Sequence, residues 1–318
     1  MTKKPHRIVF MGTPEFAVAS LRAIYENSYS IAAVVTTPDR PAGRGRKITS
    51  SPVSKYALEH GLQAMQPERL RDPAFIQSLK DLHADIFVVV AFRMLPEEVW
   101  SIPPLGTFNL HASLLPQYRG AAPVNHAIIN GETRTGVTTF LIDSEIDTGK
   151  ILLQSETEIL PDDDAGTLHD RLMLQGAELV IKTIKGLVRG TLKPVKQKVT
   201  LGTVLNKAPK IFPADTVIRW EEPAIKIHNL IRGLSPYPGA VATLRSGERY
   251  FRLKIFESRS YTAVNEIPGT LLIKDKCRLI ISCGQGSLEI MTVQPEGRKR
   301  MTAAEFIRGT DLGGWEAA

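Results

Sequence analysis

Ala84-Asp85-Ile86-Phe87-Val88-Val89-Val90-Ala91 is apolar on both faces, as a central strand of a parallel sheet is when helices cover it from either side. Around it the first half of the chain alternates strand-like apolar runs with amphipathic helical windows. Arg7-Ile8-Val9-Phe10-Met11-Gly12 reads as a first strand, and Pro14 suits the first turn of a helix carrying Phe16, Ala17, Leu21 and Ile24. Residues 30–36 and 150–160 read as further strands, residues 53–60 as a helix, and residues 167–188 as a long amphipathic helix. Right-handed β-α-β repetition of this kind predicts an α/β fold with a Rossmann-like, doubly wound parallel sheet. Ligands of such sheets lie beyond the carboxyl ends of the strands. Gly12-Thr13-Pro14 does not make this a dinucleotide site: no G-x-G-x-x-G follows, and Pro14 removes an amide that a phosphate cradle would use.

At 318 residues the chain is about two domains' worth, and 43% hydrophobic with 23% charged residues describes a globular protein. No apolar run approaches the roughly 20 residues of a membrane span and no signal-peptide core precedes the first strand, which points to the cytoplasm. Cys277 and Cys283 have neither zinc-ligand nor redox spacing and read as small core residues. Asp162-Asp163-Asp164 stands before a helix, where carboxylates favour the positive end of the dipole, so no metal is expected.

Periodicity fades over residues 190–212, where Lys, Pro and Gly accumulate. The expected organisation is therefore a first domain of residues 1–189, a linker of residues 190–212 and a second domain of residues 213–318. In the second, Ala240-Val241-Ala242-Thr243-Leu244, Phe251-Arg252-Leu253-Lys254-Ile255-Phe256 and Arg278-Leu279-Ile280-Ile281-Ser282-Cys283 alternate with glycine-containing turns, which fits a small β-barrel. The net charge is +7, and residues 207–318 hold 17 Lys and Arg against 12 Asp and Glu. That basic excess suits a polyanionic partner without specifying one.

Gly106-Thr107-Phe108-Asn109-Leu110-His111-Ala112-Ser113-Leu114-Leu115-Pro116-Gln117-Tyr118-Arg119-Gly120 leaves a strand and enters a loop. Strand alternation puts Asn109 and His111 on one face and Phe108 and Leu110 on the other. Further on, Ile142-Asp143-Ser144-Glu145-Ile146-Asp147-Thr148-Gly149 is an acidic turn from which a carboxylate can meet the imidazole. An amide donor, a titratable ring and a carboxylate suffice for acyl-group chemistry on a carbonyl. His6, His60, His83, His126, His169 and His228 lack comparable partners. Residues 38–51 form a long positive loop with Arg40, Arg44, Arg46 and Lys47 among Pro41, Gly43 and Gly45, unable to build a core.

Asn109-Leu110-His111, Ser113-Leu114-Leu115-Pro116, Arg119-Gly120-Ala121-Ala122-Pro123 and Asp147-Thr148-Gly149 resemble the active-site signature of the formyltetrahydrofolate-dependent formyltransferases. Gly12-Thr13-Pro14-Glu15-Phe16-Ala17, Pro38-Asp39-Arg40-Pro41-Ala42-Gly43-Arg44-Gly45 and Arg300-Met301-Thr302-Ala303-Ala304-Glu305-Phe306 extend the resemblance over nearly the whole chain, toward the branch whose acceptor is an aminoacyl-tRNA. The resemblance implies transfer of a formyl group from 10-formyltetrahydrofolate to the α-amine of methionine on initiator methionyl-tRNA, for translation initiation. It implies an OB-like second domain that holds tRNA on a basic face, with Lys254, Lys274, Lys276, Arg298, Lys299 and Arg300 as candidates. A cytoplasmic monomer is expected.

Under that reading Asn109 serves the oxyanion, and His111 stabilises the same oxygen and moves protons. Asp147 either holds the imidazole in its useful tautomer or relays the proton itself. The resemblance sets the folate pterin against backbone near Val89, Val90, Phe92 and Leu95, and against Ser113, Leu114, Leu115 and Pro116. Where the family commonly shows Val-Ala-Tyr-Gly and a longer loop before Leu-Pro, this chain has Val90-Ala91-Phe92-Arg93-Met94-Leu95-Pro96, one residue shorter. The arginine-rich loop is implied to reach the acceptor stem through Arg40 and Arg44, with Arg46 and Lys47 on phosphates. Rival readings are the same chemistry on a small amine (a ribonucleotide or an amino sugar nucleotide), hydrolysis to formate, and a non-catalytic tRNA-binding protein. The basic second domain argues against the first, and the intact Asn109, His111 and Asp147 set against the last.

Overall fold

The computed structural model describes residues 6–42, 47–199, 202, 204–261 and 266–318, with backbone only at 41, 42, 47 and 48. In chain order the elements are β1 (Arg7–Gly12), α1 (Glu15–Glu26), β2 (Ser30–Val35), β3 (Arg40–Ala42), β4 (Lys47–Thr49), α2 (Pro52–Glu59), β5 (Ala64–Met65), α3 (Pro73–Asp81), β6 (Ile86–Val90), α4 (Glu97–Trp100), β7 (Thr107–His111), β8 (Arg119–Gly120), α5 (Pro123–Ile129), β9 (Arg134–Leu141), β10 (Ile151–Glu158), α6 (Ala165–Arg189) and β11 (Lys207–Ala208). They continue with α7 (Ala224–Gly233), β12 (Ala240–Ser246), β13 (Arg249–Tyr261), β14 (Leu271–Lys274), β15 (Arg278–Ser282), β16 (Ser287–Pro295), β17 (Met301–Thr302), α8 (Ala303–Arg308) and β18 (Glu316–Ala317). Two compact units result, each drawn from separated segments. The first takes Met1–Gly120, Thr135–Thr157 and His169–Lys207; the second takes Ala121–Arg134, Glu158–Leu168 and Ala208–Ala318.

The first unit is built on a seven-stranded sheet of order β10-β9-β7-β6-β1-β2-β5. From β7 to β5 the pairs are parallel, and β9 joins β7 antiparallel. Every residue of β6 is buried, as its two-sided apolar run requires. Phe87 and Val89 join Val9, Met11, Val35, Phe75 and Leu79 in one core cluster, and a fully buried phenylalanine contributes about 2 kcal/mol by removal from water. Local signals set the helix starts: Ser51 accepts the Ser54 N–H at 3.0 Å ahead of α2, and Asp72 accepts that of Ala74 at 3.0 Å ahead of α3.

The second unit carries a sheet of order β14-β15-β16-β13-β12-β18, with β17 on β16 and antiparallel pairing throughout. It curls until its ends touch at a bridge between Thr270 and Glu316, where Ala317 N–H donates to Gly269 O at 2.8 Å. Its core gathers Trp220, Ile227, Ile231, Leu253, Ile255, Ile290 and Phe306, which is the barrel-like architecture expected. The cysteines divide. Cys283 is buried and burial pushes its thiol up to about 11, whereas Cys277, expected in a core, is exposed. It follows Asp275 and Lys276, both at positive φ, in the turn joining β14 to β15. Among the described residues no helix is long and apolar enough to cross a membrane.

Candidate active site

The site is built where β7 ends, at the carboxyl edge of the parallel strands. Strand alternation places Asn109 opposite Val89 and Phe140, and His111 opposite Thr138, so the amide and the imidazole share a face two residues apart. Asn109 is partly exposed; His111 is 6% exposed. The loop that follows is held by one buried hydroxyl. Thr138 Oγ1 donates to Ser113 O at 2.6 Å and accepts from Leu115 N–H at 3.2 Å and Gln154 Nε2 at 3.0 Å. Gln154 also donates to Leu115 O at 2.9 Å, and Ser113 Oγ donates to Gln117 O at 2.6 Å.

That loop returns to the imidazole. Tyr118, in the left-handed region at φ 60°, presents its carbonyl 2.8 Å from His111 Nε2. A carbonyl only accepts, so Nε2 carries the proton in this contact. Nδ1 faces Asp147 Oδ2 at 3.8 Å, an ion-pair separation too long for a hydrogen bond. Asp147 is also left-handed, at φ 56°, and its Oδ2 accepts the Gly120 N–H at 3.0 Å. Gly149 closes the turn against β9: a Cβ there would run into the Leu141 carbonyl. His111 and Asp147 thus face each other within one unit, and Asn109 stands two residues before His111 on the same face of β7. Sequence reasoning does not single out Tyr118, whose carbonyl no residue type encodes, or Thr138, whose hydroxyl pins the loop.

Of the other candidate positions, the side chains of Val89, Val90, Leu95, Ser113 and Leu115 are buried, while Phe92, Leu114 and Pro116 are partly exposed. Arg93, the departure from the family pattern, turns back: its guanidinium donates to Pro67 O at 2.8 Å and Glu68 O at 3.2 Å and lies 5.3 Å from the Phe92 ring centroid. Burial, then the charge of Arg40, lowers its pKa, against the charge of Glu68. Arg40 is exposed on β3, which pairs antiparallel with β4, and lies 3.9 Å from Glu68. Arg44, Arg46 and the Lys47 side chain lie outside the described residues. Among the described residues no three His, Cys, Asp or Glu are grouped to hold a metal ion.

In the second unit the candidate cations are partly engaged. Lys254 Nζ donates to Pro238 O at 2.8 Å, Lys274 Nζ to Tyr261 Oη at 2.9 Å, and Arg300 stacks on Phe256 at 3.5 Å.

The sequence matches the family model for formyl transferase over residues 6–184 and that for formyl transferase, C-terminal domain, over residues 210–311. The methionyl-tRNA formyltransferase of Bacteroides thetaiotaomicron is 47% identical over 315 residues, 98% of either chain. That of Caldanaerobacter subterraneus is 47% identical over 309 residues, 96% of this chain and 97% of the relative. Two solved structures share the fold. HypX from Aquifex aeolicus has a TM-score of 0.66 at 17% identity, covering 98% of this chain and 50% of that one. Glycinamide ribonucleotide transformylase 1 from Symbiobacterium toebii has a TM-score of 0.52 at 18% identity, covering 60% of this chain and 95% of that one. The chain belongs to the formyl transferase family, among its methionyl-tRNA formyltransferases.

Proposed function

We propose that this protein transfers the formyl group of 10-formyltetrahydrofolate to the α-amine of methionine on initiator methionyl-tRNA, using Asn109, His111 and Asp147. The observation that carries the chemistry is a carbonyl-anchored imidazole facing a carboxylate at the end of β7, with the Asn109 amide two residues away on the same strand face. End-to-end likeness through both family domains carries the choice of acceptor. Its limits also support dividing the chain into a catalytic domain of residues 1–189, a linker of residues 190–212 and a tRNA-binding domain of residues 213–318.

10-Formyltetrahydrofolate supplies a formyl carbon bonded to N10. The methionine nitrogen forms a bond to that carbon, the carbon–N10 bond breaks, the amine gives up a proton and N10 gains one. Asn109 cannot titrate, so its part is to donate a hydrogen bond to the formyl oxygen as negative charge gathers there. His111 Nε2 is committed to the Tyr118 carbonyl, which leaves Nδ1 to meet reacting atoms. Asp147 lies 3.8 Å from Nδ1, beyond hydrogen-bond reach, so the two pass on the proton the amine releases through one intervening water or after closing by about 1 Å. Backbone groups of residues 89–95 and 113–116, with the partly exposed Phe92, Leu114 and Pro116, are assigned to the flat pterin, as the resemblance implies. The exposed Arg40, with Arg44, Arg46 and Lys47, supplies cations for the acceptor stem.

The test is formyl transfer measured with methionyl-initiator tRNA, methionyl-elongator tRNA, glycinamide ribonucleotide or no acceptor. Transfer to the initiator tRNA above all others is expected. Turnover with the ribonucleotide, or formate release without acceptor, overturns the assignment.

A further inference from the structure

Gln197 stands in a stretch without periodicity, yet its side chain joins the two loops that carry the candidate catalytic groups. Nε2 donates to Asp147 O at 2.8 Å and Gly149 O at 2.9 Å. Oε1 accepts from Arg119 Nε at 3.1 Å and Arg119 Nη2 at 2.6 Å. Both ends of the amide are thus engaged, two contacts each. Arg119 lies between Tyr118, whose carbonyl anchors His111, and Gly120, whose N–H holds the Asp147 carboxylate.

The surrounding segment is itself fastened. Val195 and Ile151 exchange backbone hydrogen bonds of 2.8 and 2.9 Å just before Gln197. Beyond it, Tyr118 N–H donates to Asn206 O at 2.7 Å, and the Gln117 side chain joins Val204 O at 3.0 Å and Asn206 N–H at 2.9 Å. Tyr118 and Asp147 both hold left-handed backbone, a conformation costing non-glycine residues about 1 kcal/mol or more and kept only where surroundings over-determine it.

We propose that Gln197 is a positioning residue for formyl transfer: its amide sets the spacing between the His111 anchor and the Asp147 turn. This rests on the catalytic reading of His111 and Asp147. The segment between the two family domains is then part of the active site rather than a tether. A misplacement near 1 Å costs on the order of 100-fold in rate, and the effect falls on kcat because both ends of the Gln197 amide are spent on Arg119, Asp147 and Gly149.

The experiment compares Gln197→Ala, Gln197→Glu and, as a neighbouring exposed control, Lys196→Ala, by kcat, both KM values and thermal midpoint. Gln197→Glu keeps the side-chain length and an acceptor for Arg119 but sets a carboxylate against the Asp147 and Gly149 carbonyls. Both Gln197 variants are expected to lose kcat by about 10- to 100-fold, with KM values within about threefold and a folded protein; Lys196→Ala stays at wild type. A Gln197→Ala kcat within twofold of wild type overturns the inference. So does a Gln197→Glu enzyme of normal kcat, since Arg119 tethering alone would then explain the residue, or a kcat loss that follows the folded fraction. Wild-type turnover is measured first. Its absence on initiator tRNA defeats the functional reading, whereas normal wild-type turnover with an indifferent Gln197 defeats this inference alone.

Discussion

The backbone carbonyl of Tyr118 accepts the Nε2 proton of His111 at 2.8 Å inside the protein. Seven residues of chain make that closure, through a loop pinned by Thr138 and Gln154. The ring's orientation is therefore set by backbone, and the Asp147 carboxylate, held by Gly120 N–H, faces Nδ1. A backbone acceptor cannot be lost by side-chain change, so the vulnerable points are the turns that aim it.

Gly149 is the tightest of them. An alanine methyl would run into the Leu141 carbonyl, and relief requires moving the turn that carries Asp147. Gly149→Ala should destabilise the protein by about 1–3 kcal/mol and lower kcat more than it raises KM. Thermal melting with steady-state kinetics on the folded fraction checks this; unaltered kcat would mean that the turn moves without disturbing the site.

Arg40 extends into solvent with a distant Glu68 as its ion partner, so its removal should not harm the fold. Arg40→Ala is expected to raise KM for initiator tRNA, to leave kcat near wild type, and to flatten the salt dependence of KM by no more than the roughly 0.7–0.9 log unit per log unit of one phosphate contact. Kinetics from low to moderate salt measure both; a KM unchanged at every ionic strength contradicts the assignment.

Arg278 grips Glu289 with two hydrogen bonds, at 2.7 and 2.6 Å, across β15 and β16. Those bonds first, then the charges of Arg278 and Arg259, hold the carboxyl below its ordinary 4.5, against an opposing effect of burial. A depressed carboxyl stabilises the fold above the unfolded value and loses that contribution as pH falls through the lower folded value. Glu289→Gln should thus cost about 1 kcal/mol or less at pH 7, and the wild-type and variant melting temperatures should converge as pH drops below 4.5. A constant gap down to pH 3 would contradict the ion pair as its origin.

Much of this was legible in the sequence. The two-sided apolar run around Val88 marked the central strand, because burial on both faces leaves no polar alternation. Alternation along β7 put Asn109 and His111 together, and the resemblance supplied Asp147, which no spacing could have brought from another strand. Gln197 was illegible: its four contacts are to two loops distant in sequence and two of them are to carbonyls, which carry no residue signature. Arg93 reads as an oddity in the chain and becomes a clamp only when Pro67 and Glu68 are brought beside it. Cys277 follows an apolar strand and was expected inside; the turn at Asp275 and Lys276 turns it out.

The most direct measurement is kcat for formyl transfer to methionyl-initiator tRNA by His111→Ala, paired with the tRNA dissociation constant of the same variant. Loss of one group acting on the developing charge is expected to lower kcat by about 10²–10³-fold with tRNA affinity unchanged. A variant that binds tRNA normally and still turns over at the wild-type rate would contradict the account, since the imidazole anchored by Tyr118 would then take no part in the reaction.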